Sequence, residues 1–330
     1  MKNSVIEDLS KKIEGKDKVI VFPEGHDIRV LSAAVRHYNE GLIKPIVLAN
    51  LDHVKGLAKD SNLDLEDMVI IDPYNYEKED EMVAELVKIR KGKATEEQAR
   101  ELIKQPNYFG TMMVQMGLAD GMVSGAIHST GDTVRPALQI IKTKPGVSRT
   151  SGAMVMLGEN GERYLFADIA INIDLTDQQV GEIAIVSAET AKTFGIDPKV
   201  AMLSFSTKGS ASAPQQEKMA SATVIANELA KEQGLNLPID GELQFDAAID
   251  PTVAILKAPK SKVAGKANVF IFPELQSGNI AYKVAQRLGG FEALGPILQG
   301  LNKPINDLSR GCSAEDVYKI GIITAAQSLD

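Results

Sequence analysis

The stretch Lys18-Val19-Ile20-Val21-Phe22-Pro23-Glu24-Gly25-His26-Asp27, running into an apolar-periodic segment that ends at Glu40-Gly41, decides the fold class. Four consecutive apolar residues, two of them valine and one isoleucine, read as a short strand buried on both faces. The polar turn then opens a helix from about residue 28, and Gly41 supplies the stop that helices favour. Such a strand, turn and helix is one βα unit of a parallel sheet. The same pattern returns with strands at about residues 44–50, 68–73 and 121–125. Helices are expected at about residues 79–91, at 95–104 behind the capping box Thr95-x-x-Gln98, and at 107–118.

Lys142-Thr143-Lys144-Pro145-Gly146 interrupts this rhythm. Beyond it, strands at about 152–157 and 164–172 are joined by Glu159-Asn160-Gly161, a turn suited to a hairpin. Thr176-x-x-Gln179 caps a helix that stops at Gly195, and a strand over 200–205 leads into the polar loop Ser206-Thr207-Lys208-Gly209-Ser210-Ala211. Ser212-Ala213-Pro214-Gln215 caps a long helix closed by Gly234. Strands over 243–250 and 267–272 and a helix over 278–288 follow, and Gly289-Gly290, Gly295-Pro296 and Lys303-Pro304 mark a second interruption.

At 330 residues the chain is long enough for two cores. Its net charge of −8, absence of tryptophan and 5% aromatic content argue against a nucleic-acid binder, which wants a basic face and stacking platforms. One cysteine excludes a disulfide framework and a multi-cysteine metal site. No apolar run approaches the roughly 20 residues of a membrane span, and residues 1–18 lack a signal-peptide core, so the cytoplasm is the expected compartment.

Two stretches are chemically dense. Leu308-Ser309-Arg310-Gly311-Cys312-Ser313-Ala314-Glu315-Asp316 places a hydroxyl, a guanidinium and a carboxylate on a glycine joint before a helix capped by Ser313. Asp316 reads either as part of an anion-handling acyl-transfer site or as a plain partner in the Ser313-x-x-Asp316 capping motif. Ala126-Ile127-His128-Ser129-Thr130-Gly131-Asp132-Thr133-Val134-Arg135-Pro136 leaves a strand for a helix expected to be capped at Asp132 or Thr133. Its hydroxyls and arginine suit phosphate, and the alternative is an ordinary polar turn.

Several segments together resemble the phosphate acetyltransferase family: Val21-Phe22-Pro23-Glu24-Gly25, the run from Val123 to Ala137, Ser204 to Ala211, Glu242-Leu243-Gln244-Phe245-Asp246-Ala247-Ala248, and Leu308-Ser309-Arg310-Gly311. They occur in the family's order over nearly the whole chain. The resemblance implies an α/β fold of two three-layer α/β domains of the isocitrate/isopropylmalate dehydrogenase type, the second inserted in the first. The expected bounds are residues 1–145 with 297–330, and 146–296. It implies reversible transfer of an acetyl group between coenzyme A and phosphate, in a homodimer. CoA, acetyl-CoA, phosphate and acetyl phosphate are then substrates, with no cofactor and no metal. By position, the general base falls on Asp316 with Ser309 and Arg310 beside it. The CoA- and phosphate-binding arginine falls on Arg135, among Ser129, Thr130 and Thr133. A further CoA-contacting arginine falls on Arg90, which otherwise reads as a solvated arginine at a helix end.

The chemistry constrains these roles. A thiol of pKa about 8.5 does not give its proton outright to an ordinary aspartate of about 3.9, since that costs roughly 6 kcal/mol. Proton removal concerted with attack on the carbonyl avoids the cost, with Arg310, Ser309 or backbone N–H groups stabilising the oxyanion. Cys312 beside Arg310 and a helix start is a rival acetyl carrier if its pKa is depressed. Three other readings compete: a phosphate butyryltransferase, an NAD-dependent β-decarboxylating dehydrogenase and a non-catalytic CoA-binding module. The dehydrogenase reading lacks its metal-binding aspartates.

Overall fold

The computed structural model describes residues 4–329. Its strands are β1 (Val19–Phe22), β2 (Lys44–Leu48), β3 (Val69–Ile71), β4 (Gly121–Ser124), β5 (Ser151–Leu157), β6 (Arg163–Ala167), β7 (Val200–Leu203), β8 (Ile239–Leu243), β9 (Val269–Ile271), β10 (Glu292–Gln299) and β11 (Ile305–Asp307). They belong to two compact units, one comprising Ile6–Lys142 with residues 301–329 and the other Thr143–Gly300 with residues 4 and 5.

The first unit is built on a parallel sheet in the order β11-β4-β1-β2-β3. Side chains alternate across a strand, so Ile20 and Phe22 face one side of β1 and Val21 the other. Phe22 meets His37 of the helix Ile28–Asn39, and Ile20 lies beside the close approach of Gly121 to Thr324 of the helix Ala314–Gln327. On the opposite face, Val21 and Met122 pack on Gly110 of the helix Pro106–Gln115. Ile20, Val21 and Phe22 are all fully buried, which is why β1 reads as an unbroken apolar run.

His37 is sealed between the rings of Phe22 and Tyr318, the latter 4.4 Å away, and burial pushes its pKa down to about 3. The folded state therefore holds a neutral imidazole that the unfolded chain protonates below pH about 6.5. Stability should accordingly fall as pH drops from about 6.5 towards 3, by up to about 1.4 kcal/mol per unit from this residue. Urea unfolding of the wild type and of His37→Leu at several pH values checks this: the variant should be weaker at neutral pH but lose less on acidification.

The second unit carries a mixed sheet, β10-β5-β6-β9-β7-β8. β5 runs antiparallel to β10 and β6, while β6, β9, β7 and β8 are parallel. Met154, Phe166, Leu243 and Phe270 form the centre of a core against which Ala281, Tyr282 and Ala285 of the helix Leu275–Arg287 pack.

Several local expectations change, among them the cap expected over 212–215: the helix Pro214–Glu232 starts at Ala213 with no side-chain cap. The run expected as a strand over 243–250 divides into the end of β8 and the helix Phe245–Ile249. β10 is a strand where a crossing was expected, because Pro296 sits on a sheet edge at a register shift between Leu294 and Ile297 and removes no needed donor. The helix carrying Arg135 begins at Thr130, three or four residues early, because Ser129 and Asp132 form a reciprocal capping box. The chain passes between the units at 142/143 and 300/301, against expected bounds at 145/146 and 296/297.

Candidate active site

In the first unit the carboxyl ends of β4 and β1 lie side by side where the strand order reverses direction, and the edge strand β11 flanks β4. Parallel α/β sheets hold ligands at this position, because the loops diverge there. Gly125 turns the chain out of β4 at φ +107°, and a Cβ on it would stand 2.6 Å from the Leu308 nitrogen and 2.7 Å from its carbonyl oxygen. Leu308 N donates to Ser124 O at 2.7 Å, so the loops after β4 and β11 run in contact.

Glu24, fully buried after β1, anchors the loop after β4. Its carboxylate accepts from Ala126 N at 2.8 Å, Ile127 N at 3.0 Å, His128 N at 2.9 Å and His128 Nδ1 at 2.7 Å. Burial alone would raise its pKa, but the His128 ring and the three backbone donors outweigh burial and hold Glu24 below the usual carboxylate range.

Asp307 ends β11 beneath the same loop. Thr130 Oγ1 donates to its Oδ2 at 2.7 Å, while its Oδ1 and the buried Thr133 hydroxyl lack full hydrogen-bond partners. Burial lifts the Asp307 pKa to about 6, despite the threonines that favour its charge. Thr133 thus lies under the surface, facing protein, whereas Ser129 and Thr130 are exposed.

The loop 309–313 is fastened by Arg29, which sequence reading passed over. Arg29 grips Asp27 through Nε and Nη2 at 2.9 and 2.7 Å. It donates to the carbonyls of Arg310, Cys312 and Ala126, each at 2.9 Å. One guanidinium therefore joins the loops after β4 and β11. A cation in the first turn of a helix opposes the helix dipole, and that was the available signal. Ser309 Oγ accepts from Gly311 N at 3.3 Å, and Ser309, Arg310 and Asp316 are all exposed. Asp316 does cap its helix, but both contacts, from Ser313 N and Ser313 Oγ at 2.8 Å, fall on Oδ2. Behind it, Arg36 pairs with Glu315 at 2.6 Å and lies 3.6 Å over the Tyr318 ring, which fixes the first turn.

Cys312 is buried, and its thiol pKa is raised: burial dominates, Arg29 opposes it, and Asp316, Asp27 and Glu24 add to it. The depressed pKa that an acetyl carrier needs is absent.

The first unit has six arginines. Arg29, Arg36 and Arg100 are paired with carboxylates. Arg90, Arg135 and Arg310 pair with no carboxylate among the described residues, and Arg90 Nε is buried without a partner. The Tyr108 pKa is raised by burial, with the positive charges of Arg135 and Arg90 acting against that rise. The Tyr108 hydroxyl donates to Gln139 at 2.9 Å. Among the described residues no three His, Cys, Asp or Glu side chains gather as a metal-binding set, and no helix is long and apolar enough to cross a membrane.

The sequence model of the phosphate acetyl/butaryl transferases matches residues 4–325. The chain belongs to this family. Within the phosphate acetyltransferases, the protein from Staphylococcus epidermidis is 59% identical over 322 residues, covering 97% of this chain and 98% of the relative. That from Bacillus subtilis is 58% identical over 321 residues with the same coverage. The solved phosphotransacetylase of Streptococcus pyogenes superposes with a TM-score of 0.96 at 60% identity, over 99% of this chain and 98% of that one.

Proposed function

We propose that this phosphate acetyltransferase family member catalyses acetyl-CoA + phosphate ⇌ acetyl phosphate + CoA in a ternary complex, with Asp316 as base for the CoA thiol. The activity is that of a phosphate acetyltransferase, an acyltransferase. The observation that carries the assignment of the base is that, on this exposed residue, capping occupies Asp316 Oδ2 alone and Oδ1 has no hydrogen-bond partner among the described residues. One side chain can cap and accept a proton together. As sulfur attacks the acetyl carbon, Oδ1 takes the thiol proton, while Arg310 and Ser309 stabilise the charge growing on the carbonyl oxygen.

Arg135 and Arg90 are the proposed phosphate-binding cations, supported by their lack of carboxylate partners among the described residues of an acidic chain. Ser129 and Thr130 are proposed to contact the ligand, with Thr133 acting from behind through Asp307. Arg135→Ala and Arg90→Ala should each raise a substrate KM while leaving the unfolding midpoint near that of the wild type. Steady-state rates against CoA and acetyl phosphate test this, and unchanged KM for both substrates in both variants would remove these residues from the site.

Cys312→Ala should keep most of kcat, and double-reciprocal plots should intersect. Parallel lines, or labelled acetyl trapped on the wild-type cysteine, would contradict the ternary complex. Relative turnover of acetyl-CoA and butyryl-CoA fixes the acyl preference. The unit 143–300 is the proposed inserted domain, supported by its own sheet and core. A cytoplasmic homodimer is the proposed working form, the compartment supported by the single cysteine.

A further inference from the structure

Glu24 and His128 form a pair that the chemistry above leaves unused. Glu24 is fully buried, and three backbone N–H groups donate to its carboxylate, two of them to Oε1, which favours the charged, accepting form. The proton in the 2.7 Å contact therefore belongs to His128 Nδ1, which fixes the tautomer and puts the second lone pair or proton of the ring on Nε2. Nε2 makes no hydrogen bond among the described residues, and the imidazole is 27% exposed at the carboxyl ends of β1 and β4. Arg29, bonded to the carbonyls of Ala126 and Arg310, ties the His128 loop to the loop carrying Ser309 and Arg310. A carboxylate behind an imidazole whose far nitrogen is open is the arrangement of an oriented acid–base group.

The reaction has a proton to deliver here. Acetyl phosphate is a dianion near neutral pH, and breaking its C–O bond without protonation would release phosphate as a trianion. We propose that His128 is a further catalytic residue of the acetyl transfer, its Nε2 exchanging a proton with the phosphate oxygen that bonds to the acetyl carbon. This rests on the acetyl-transfer reading above. As the C–S bond forms, the thiol proton passes to Asp316. As the C–O bond breaks, its electron pair stays on oxygen, which takes the Nε2 proton and departs as hydrogen phosphate. The enzyme is left with protonated Asp316 and neutral His128, and proton exchange through water restores the starting state. In the reverse direction neutral His128 accepts the proton of the attacking phosphate.

Glu24 and Asp132 are the charged groups that bear on the ring, and the Glu24 hydrogen bond, acting against burial, raises the His128 pKa. Arg29 and Asp307 on the adjoining elements act on Glu24 in turn. The acid form thus persists above the ordinary histidine range. Both directions draw on the same single proton shared between Asp316 and His128, so kcat/KM should fall in both as pH rises through the His128 pKa.

His128→Asn retains an amide donor for Glu24 but has no Nε2, and His128→Ala leaves room for added imidazole. We expect His128→Asn to lower kcat by about 10²–10⁴ with little change in the KM for acetyl phosphate. Imidazole should restore part of the activity of His128→Ala, and the fall in kcat/KM at high pH should vanish from both variants. Near-wild-type kcat in His128→Asn overturns the proposal. So does lost activity that imidazole does not rescue and that keeps the wild-type pH profile, since a merely structural role behaves in that way. Asp316→Asn measured alongside separates the two readings: a normal Asp316→Asn with a rescuable His128 variant rejects Asp316 as base and leaves His128 standing.

Discussion

Asp316→Asn lowers kcat by at least about 10² in a protein that remains folded, because general-base assistance is typically worth about 10²–10⁴. Asparagine keeps the shape of the side chain, and its amide oxygen can replace Oδ2 as acceptor from Ser313 N. The cap is therefore weakened, not removed, and stability should fall by about 1 kcal/mol or less. Most of the substitution's effect then falls on Oδ1, the oxygen outside the cap. The surroundings are buffered against collapse, since Arg36 holds Glu315 and covers Tyr318, and Tyr318 in turn donates to Glu40 at 2.5 Å. Thermal unfolding and steady-state turnover on the same preparation separate the two effects. A folded variant with near-normal kcat makes Asp316 a cap only.

Gly125→Ala removes both stability and activity. At φ +107° an L-residue is strained by about 1–2 kcal/mol. The added methyl also meets the carboxylate of the buried Asp307 and the backbone of Leu308, which cannot swing aside, and overpacking of this kind costs about 1–3 kcal/mol. Together the loss should be about 2–5 kcal/mol, seen as a lower denaturant midpoint. Relief would come only by pushing β11 and its following loop away from β4, which shifts Ser309 and Arg310. Activity should therefore fall under conditions where the protein is still folded. A variant within about 0.5 kcal/mol of the wild type, at full activity, would show that the two strand ends are not packed as described.

The first unit was legible because its chemistry is local. β1 is a continuous apolar run, and the helix after it has a cap, a period and a glycine stop, so each signal lies within about twenty residues. The misreadings came where tertiary position decides. Pro296 is tolerated because β10 is an edge, and no sequence window shows which strand will be an edge. Residues 243–250 are apolar enough for a strand, yet the chain turns into a helix once β8 has paired with β7.

The same division holds in the site. Ser309, Arg310, Arg135 and Arg90 stood out by residue type and motif, and the structure adds that the three arginines pair with no carboxylate among the described residues. Glu24, Asp307 and Arg29 did not stand out. Their functions depend on contacts across about 100 to 280 positions, as the Glu24–His128 and Arg29–Cys312 bonds show.

The most direct test of the account is thioester formation by the purified chain from acetyl phosphate and CoA, with phosphate release followed in the same reaction for the wild type and Asp316→Asn. The account predicts one acetyl-CoA per phosphate released, intersecting double-reciprocal lines for the wild type, and a rate lower by at least about 10² for Asp316→Asn. Phosphate release without thioester, or equal rates for the two proteins, would contradict it.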